Sequence, residues 1–163
     1  MARNGVYAGS FDPVTNGHLW MIDQGSKFFD EFNVAIGINP DKKYTFSIEE
    51  RMQMLKEVTK DIKNLRLDSF ENQFLVRYAQ SIDANYILRG MRNPDDYEFE
   101  KAMRYVNGDL NKNITTIFLI PPRDLVEISS SFVKGLIGPE GWEEIIKKYV
   151  PIPVYNKFLE KYG

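Results

Sequence analysis

The sequence predicts an α/β fold: a doubly wound parallel sheet of five strands, helices on both faces, and further helices at the C-terminus. Short β-like runs alternate with longer amphipathic runs four times over short connections, the pattern of repeated right-handed βαβ crossovers. The inner runs are apolar at consecutive positions rather than alternating, as in Phe32-Asn33-Val34-Ala35-Ile36-Gly37-Ile38, which suits strands covered on both sides. The length of 163 residues suits one domain with one core. It is read as a core over residues 1–137 and a helical tail over 138–163.

Taken in order, Gly5 to Ala8 reads as the first strand and Gly17 to about Phe29 as the first helix, with Leu19, Ile22 and Phe29 on one face. Phe32 to Ile38 is the second strand. Ser47-Ile48-Glu49-Glu50 is a capping box that starts the second helix, and Ile48, Met52, Leu55 and Thr59 form its stripe. Leu65 to Asp68 is the third strand, Phe74 to Gln80 a short helix, and Tyr86 to Leu88 a fourth strand ending at Arg89-Gly90. Asp95 to Leu110 is a helix with acids in its first turn and an apolar stripe of Phe99, Met103, Val106 and Leu110. Ile114 to Ile120 is the fifth strand, stopped by Pro121-Pro122. In the tail, Trp142, Ile145, Ile146 and Tyr149 suit one helix and Tyr155 to Tyr162 another, with Pro151 and Pro153 as a break between them.

Composition narrows the function classes. A net charge of −2 argues against nucleic-acid binding through bulk charge, though not against a local basic pocket. With no cysteine and one histidine, disulfides, thiolate nucleophiles and a structural zinc site are not expected. No run approaches the length of a membrane span, and the N-terminus lacks a signal-peptide core, so the expected compartment is the cytoplasm.

In a doubly wound sheet, ligands bind at the carboxyl ends of the strands near the switch in strand order. Ser10 follows the first strand, Lys42 the second, Arg89 and Arg92 the fourth, and Ser129 to Ser131 the fifth. Their expected convergence on one rim points to a phosphate-rich ligand. In the first loop, Gly9 permits a close approach or a positive φ, and Thr15 or Asn16 can cap the helix. That puts His18 in the first turn, beside free N–H groups. Lys42 and Lys43 are either a solvated pair or a point charge for a phosphate. Arg89-Gly90-Met91-Arg92 places two guanidiniums at the rim. They can fork onto phosphates or pair with Asp95 or Asp96. Ile128-Ser129-Ser130-Ser131 is either a serine-capped helix or an anion cradle.

These segments also resemble a known family. Ser10-Phe11-Asp12-Pro13 with Thr15-Asn16-Gly17-His18 is similar to the (T/S)-F-D-P-x-T-N-G-H signature of the nucleotidyltransferase superfamily, in the variant typical of bacterial phosphopantetheine adenylyltransferases. Leu88-Arg89-Gly90-Met91-Arg92 resembles that family's (I/V)-R-G-(L/M)-R. Asp96 to Glu100 resembles its D-(F/Y)-E-x-E, and Ile128 to Lys134 its I-S-S-S-x-(V/L)-(K/R). The likeness covers about residues 3 to 135. It departs from the pattern at Ala8, Ser10, Leu125 and Glu127, and the tail shows no clear match.

The resemblance implies a Rossmann-like fold and transfer of the adenylyl group of ATP to 4′-phosphopantetheine, with magnesium arriving on the ATP and a homohexameric assembly. By position it implies ATP contacts from Ser10, Phe11, His18, Gly90, Met91, Arg92, Glu100, Leu125, Val126, Glu127, Ile128, Ser129, Ser130 and Ser131. It implies phosphopantetheine contacts from Ser10, Lys42, Leu75 and Arg89. His18 would stabilise the transition state, with Lys42 and Arg92 assisting. Neither nucleic acid nor membrane is an expected partner. The alternatives are a transferase of the same superfamily acting on nicotinamide mononucleotide, FMN or a phosphorylated alcohol, a non-catalytic nucleotide-binding module, or a purely structural domain.

Overall fold

The computed structural model describes residues 1–163. Five parallel strands, β1 (Asn4–Gly9), β2 (Glu31–Ile38), β3 (Leu65–Glu71), β4 (Tyr86–Gly90) and β5 (Thr115–Leu119), lie in the order β3-β2-β1-β4-β5. The chain winds outward from β1 through β2 to β3, then returns to place β4 and β5 on the other side of β1. The switch in strand order therefore falls between β1 and β4. No helix is long and apolar enough to cross a membrane.

Three helices link successive strands on the first pass: α1 (Asn16–Phe28), α2 (Ile48–Thr59) and α3 (Leu75–Ser81). Then come α4 (Pro94–Leu110), α5 (Ser130–Gly135), α6 (Trp142–Ile146) and α7 (Ile152–Tyr162). Thr15 caps α1 and Ser47 caps α2, each in a capping box. Pro153 is not a break: with Pro151 at the N-cap it lies in the first turn of α7, where a proline gives up no intrahelical bond. Phe74 is the cap residue before α3 rather than its first turn.

The sheet's side chains alternate between two cores. Tyr7, Val34 and Leu88 face a cluster of 20 buried residues that takes in α1, α2, α5, α6 and α7. Val6, Ala35 and Ile87 face a cluster of 8 with α3. In α2 the expected stripe is half right: Leu55 and Thr59 are buried, Ile48 and Met52 only partly, and Arg51 and Met54 are buried with them. In α4 the expected stripe is only partly buried: Leu110 packs at the edge of the smaller core and Met103 is half-buried. Phe99 is 60% exposed and Val106 39%, and the buried positions are Glu100 and Asn107. The helix turns its polar seam to the protein because Arg89 draws Glu100 inward.

Candidate active site

A cavity of about 570 Å³ opens at the carboxyl ends of the strands, above the switch between β1 and β4. The sheet brings to it Ser10, Phe11 and His18 from the first loop and α1, Lys42 from beyond β2, and Arg89, Gly90, Arg92 and Glu100 from β4 and α4. Leu125, Ile128 and Ser129 to Ser131 line it from the segment after β5. Met91, Val126, Glu127 and Leu75 do not line this cavity. Leu75 packs at the edge of the smaller core instead.

The first loop is built for close approach. A Cβ on Gly17 would sit 2.9 Å from the Ile128 carbonyl oxygen, so only glycine lets α1 meet the segment after β5. The left-handed residue of the loop is Phe11, with φ 46°, and not Gly9. This is an uncommon conformation for an aromatic residue. It is retained because the ring is buried edge-on against Tyr7 at 5.6 Å and His18 at 5.1 Å. What Phe11 offers a ligand is therefore its backbone, not its ring.

His18 is at the third position of α1, where a capping box usually places glutamate. The Thr15 N–H donates to its Nδ1 at 3.0 Å, and the Thr15 hydroxyl lies 3.1 Å from the same atom. Nδ1 is thus an acceptor, and the neutral ring carries its proton on Nε2. Burial, followed by the positive charge of Arg92, pushes the imidazolium pKa down from 6.5 to about 4. At neutral pH the ring is an uncharged donor. Tyr7, which lines the cavity floor, stays a neutral phenol because burial raises it to about 12, against the opposing pull of Arg89 and Arg92.

The two guanidiniums are both held by carboxylates. Glu100 Oε1 accepts from Arg89 Nε at 2.9 Å and Nη2 at 2.7 Å, while Arg89 Nη1 donates to the Ala8 carbonyl at 3.2 Å. Asp96 Oδ2 accepts both the backbone N–H of Arg92 at 2.9 Å and its Nε at 3.1 Å. The ion pair of Arg92 with Asp96 is thus formed, and Arg89 takes Glu100 rather than Asp95 or Asp96. Glu100 is 7% exposed, so its carboxylate orients Arg89. Lys42 has no carboxylate partner. Its Nζ donates to Ser10 Oγ at 3.3 Å. Ser129 caps α5 by accepting from Phe132 N–H at 3.0 Å, and the Ser130 hydroxyl donates to the Pro13 carbonyl at 2.7 Å. That leaves Ser131 as the hydroxyl of the three without a protein partner.

Two groups at the cavity escape a reading by sequence. Lys134 Nζ donates to the buried Asp12 carboxylate at 3.1 Å, and both line the cavity. Their separation of 122 residues hides the pair, although both sit inside motifs visible in the chain.

A cytidylyltransferase-like family model matches residues 6–136. The phosphopantetheine adenylyltransferase of Chromobacterium violaceum is 61% identical over 161 residues, covering 99% of this chain and 98% of the relative. The chain belongs to the phosphopantetheine adenylyltransferase family. Another member, from Neisseria meningitidis serogroup C, is 56% identical over 98% of this chain and 94% of its own. A third, from Caldanaerobacter subterraneus, is 42% identical over 98% of each. Among solved structures, Plasmodium falciparum nicotinic acid mononucleotide adenylyltransferase superposes with a TM-score of 0.73 at 17% identity, covering 100% of this chain and 99% of that one. That likeness is one of fold. This phosphopantetheine adenylyltransferase family member thus keeps the nucleotidyltransferase layout, with cations and hydroxyls from four separate segments around one neutral imidazole.

Proposed function

We propose that the chain transfers the adenylyl group of ATP to 4′-phosphopantetheine, forming dephospho-coenzyme A and pyrophosphate in the cytoplasm. The observation that carries this reading is the convergence of Lys42, Arg89, Arg92 and His18 on one cavity at the strand switch. In the reaction an oxygen of the acceptor phosphate bonds to the α-phosphorus of ATP. The bond to the bridging oxygen breaks, and pyrophosphate leaves with that electron pair.

The acceptor phosphate is already an anion, so it needs alignment and relief of charge repulsion rather than a strong base. Lys42 and Arg89 hold the acceptor, with Ser10 between the two substrates. Arg92, the N–H groups of Ser129 to Ser131 and the free hydroxyl of Ser131 hold the nucleotide, together with Ser10, the Phe11 backbone, Gly90, Leu125 and Ile128, while Met91, Val126 and Glu127, which do not line the cavity, would act at most through the backbone beside it. The Nε2–H of His18 donates to the oxygens that gain charge at the α-phosphorus. Because the ring is neutral and fixed by Thr15, it donates without first having to lose or gain a proton. Leu75 lies beyond the cavity, where it would meet only the far arm of the acceptor.

No three side chains of the kinds that bind metals are grouped together. The cavity carboxylates Asp12, Asp96 and Glu100 are each committed to a cation. The donor set therefore fits a magnesium ion that arrives on the triphosphate, where it offsets charge on the phosphate oxygens.

The exposed face of α4, with Tyr97, Phe99, Tyr105 and Val106, supports self-association, as a homohexamer by family resemblance. Light scattering behind size exclusion measures that mass, and a monomer at micromolar concentration overturns it. For the activity, the chain is incubated with ATP and 4′-phosphopantetheine, and the product is read by mass. Dephospho-coenzyme A is expected. Nicotinamide mononucleotide and FMN are tested beside it. Turnover of either of them, with none of 4′-phosphopantetheine, overturns the reading.

A further inference from the structure

Arg51 is the one buried arginine, 2% exposed, and it has no carboxylate partner. Buried charges are ordinarily paired. Here the guanidinium instead makes two bonds to backbone carbonyls: Nη1 to Ser10 O at 2.9 Å and Nε to Ser47 O at 3.3 Å. Its plane lies over the ring of Tyr44, with Cζ 4.0 Å from the centroid. The ammonium of Lys42 lies 5.6 Å from the same ring. One aromatic ring thus contacts both a buried cation and the cation that reaches Ser10.

The segment that carries Lys42 is fastened by the same neighbourhood. The Tyr44 hydroxyl accepts from Asn39 N–H at 2.9 Å, and Asn39 Oδ1 accepts from Asp41 N–H at 2.9 Å. Across the loop, Asp12 accepts from Thr45 and Phe46 N–H, each at 2.9 Å. Arg51 thereby ties α2 to the first loop at the Ser10 carbonyl and contacts the Tyr44 ring that also meets Lys42, whose Nζ donates to the Ser10 hydroxyl. Arg51 does not itself line the cavity.

We propose that Arg51, acting through the Tyr44 ring and the Ser10 carbonyl, is a positioning residue that presets the Lys42 ammonium for the acceptor phosphate. The guanidinium holds the Ser10 carbonyl without a carboxylate of its own, and Lys42, which meets the same residue and the same ring, lines the cavity with no carboxylate partner. The inference rests on the assignment of Lys42 to the acceptor in the reading above.

The test is steady-state kinetics of the full chain carrying Tyr44→Leu, Tyr44→Phe, Arg51→Lys and Lys42→Ala, with the thermal midpoint of each. Tyr44→Leu and Arg51→Lys are expected to raise the KM for 4′-phosphopantetheine about fivefold, the scale of one cation–π contact. The KM for ATP should stay within about twofold, and Tyr44→Phe, which keeps the ring, should restore most of the loss. Lys42→Ala should raise the same KM further, and adding Tyr44→Leu to it should cost little more, because Tyr44 acts through Lys42.

Two results overturn the inference while leaving the Lys42 assignment standing. In one, Lys42→Ala raises the acceptor KM and Tyr44→Leu does not. In the other, both substrate KM values rise together as the thermal midpoint falls, the mark of a merely structural role. An acceptor KM unmoved by Lys42→Ala overturns the assignment itself. Should Arg51→Lys fail to fold, the Tyr44 variants decide alone.

Discussion

The two faces of the sheet are built to different depths. On one, α1, α2, α5, α6 and α7 close over 20 buried residues with Phe11, Phe32, Phe46 and Phe158 inside. On the other, α3 and the edge of α4 enclose 8, several of them alanines. The deep face holds the first loop and His18. The shallow face holds Arg89 and Arg92, whose places are set by ion pairs to α4. The deep half of the site is positioned by close-packed carbon together with one buried ion pair, Lys134 to Asp12, and the other half mainly by charge. Arg92, the more exposed of the two guanidiniums, should be the more sensitive to salt.

The sharpest way to break this comparison is to cut into the deep face. Phe158 is fully buried and packs edge-on against Phe46 at 5.3 Å. Phe158→Ala is expected to cost about 3–5 kcal/mol in denaturant unfolding. Val106→Ala on the exposed side of α4 should cost under about 0.5 kcal/mol in the monomer. Equal costs would end the distinction.

Next in size is His18→Ala, which should lower turnover by roughly 10²-fold or more, the scale for one lost transition-state donor. Nucleotide affinity should change less, and near-normal turnover would remove the imidazole from the mechanism. Arg89→Ala should weaken acceptor binding by about tenfold, the scale of a charged hydrogen bond, ahead of any loss in ATP binding. Calorimetry showing the opposite order would reassign that residue. Glu100→Gln should move the same affinity in the same direction by less, since it loosens Arg89 without removing it.

A further effect concerns protons. The His18 ring is held down to about 4 in the folded chain against 6.5 unfolded. Between these values the unfolded chain binds a proton that the folded chain refuses. The ring's contribution to stability is therefore intact above about pH 6.5 and lost as pH falls toward 4. The chain has a single histidine, so its ring signals in NMR give the midpoint without ambiguity. A midpoint near 6.5 would mean the ring is not enclosed as described.

Local structure follows the sequence closely where the chain carries its own instruction. The capping box at Ser47, the cap at Thr15 (one of the two expected residues) and the apolar run of β2 act within a few residues, and these elements stand within a residue or so of where their patterns place them. The α4 stripe departs from expectation for a physical reason. Periodicity reports that a helix has an apolar face but not what that face meets, and here the seam of Glu100 and Asn107 turns inward while Phe99 and Tyr105 face out. Gly9 is expected to give either a close approach or a positive φ, yet the left-handed residue is Phe11, two positions on, held there by its buried ring.

The sequence by itself determined the alternation of strands and helices, the caps that start them, and the four motifs that belong at one rim, because these depend on neighbours along the chain. Only the tertiary structure decided which carboxylate holds which guanidinium, that Lys134 reaches Asp12, and that an unpaired Arg51 lies beneath the loop of Ser10. Apart from Arg92 and Asp96, which are four residues apart, those contacts join residues 11 to 122 positions apart. Their partners are chosen by the winding of the sheet, which brings distant chain ends together where charge must be matched or left deliberately open.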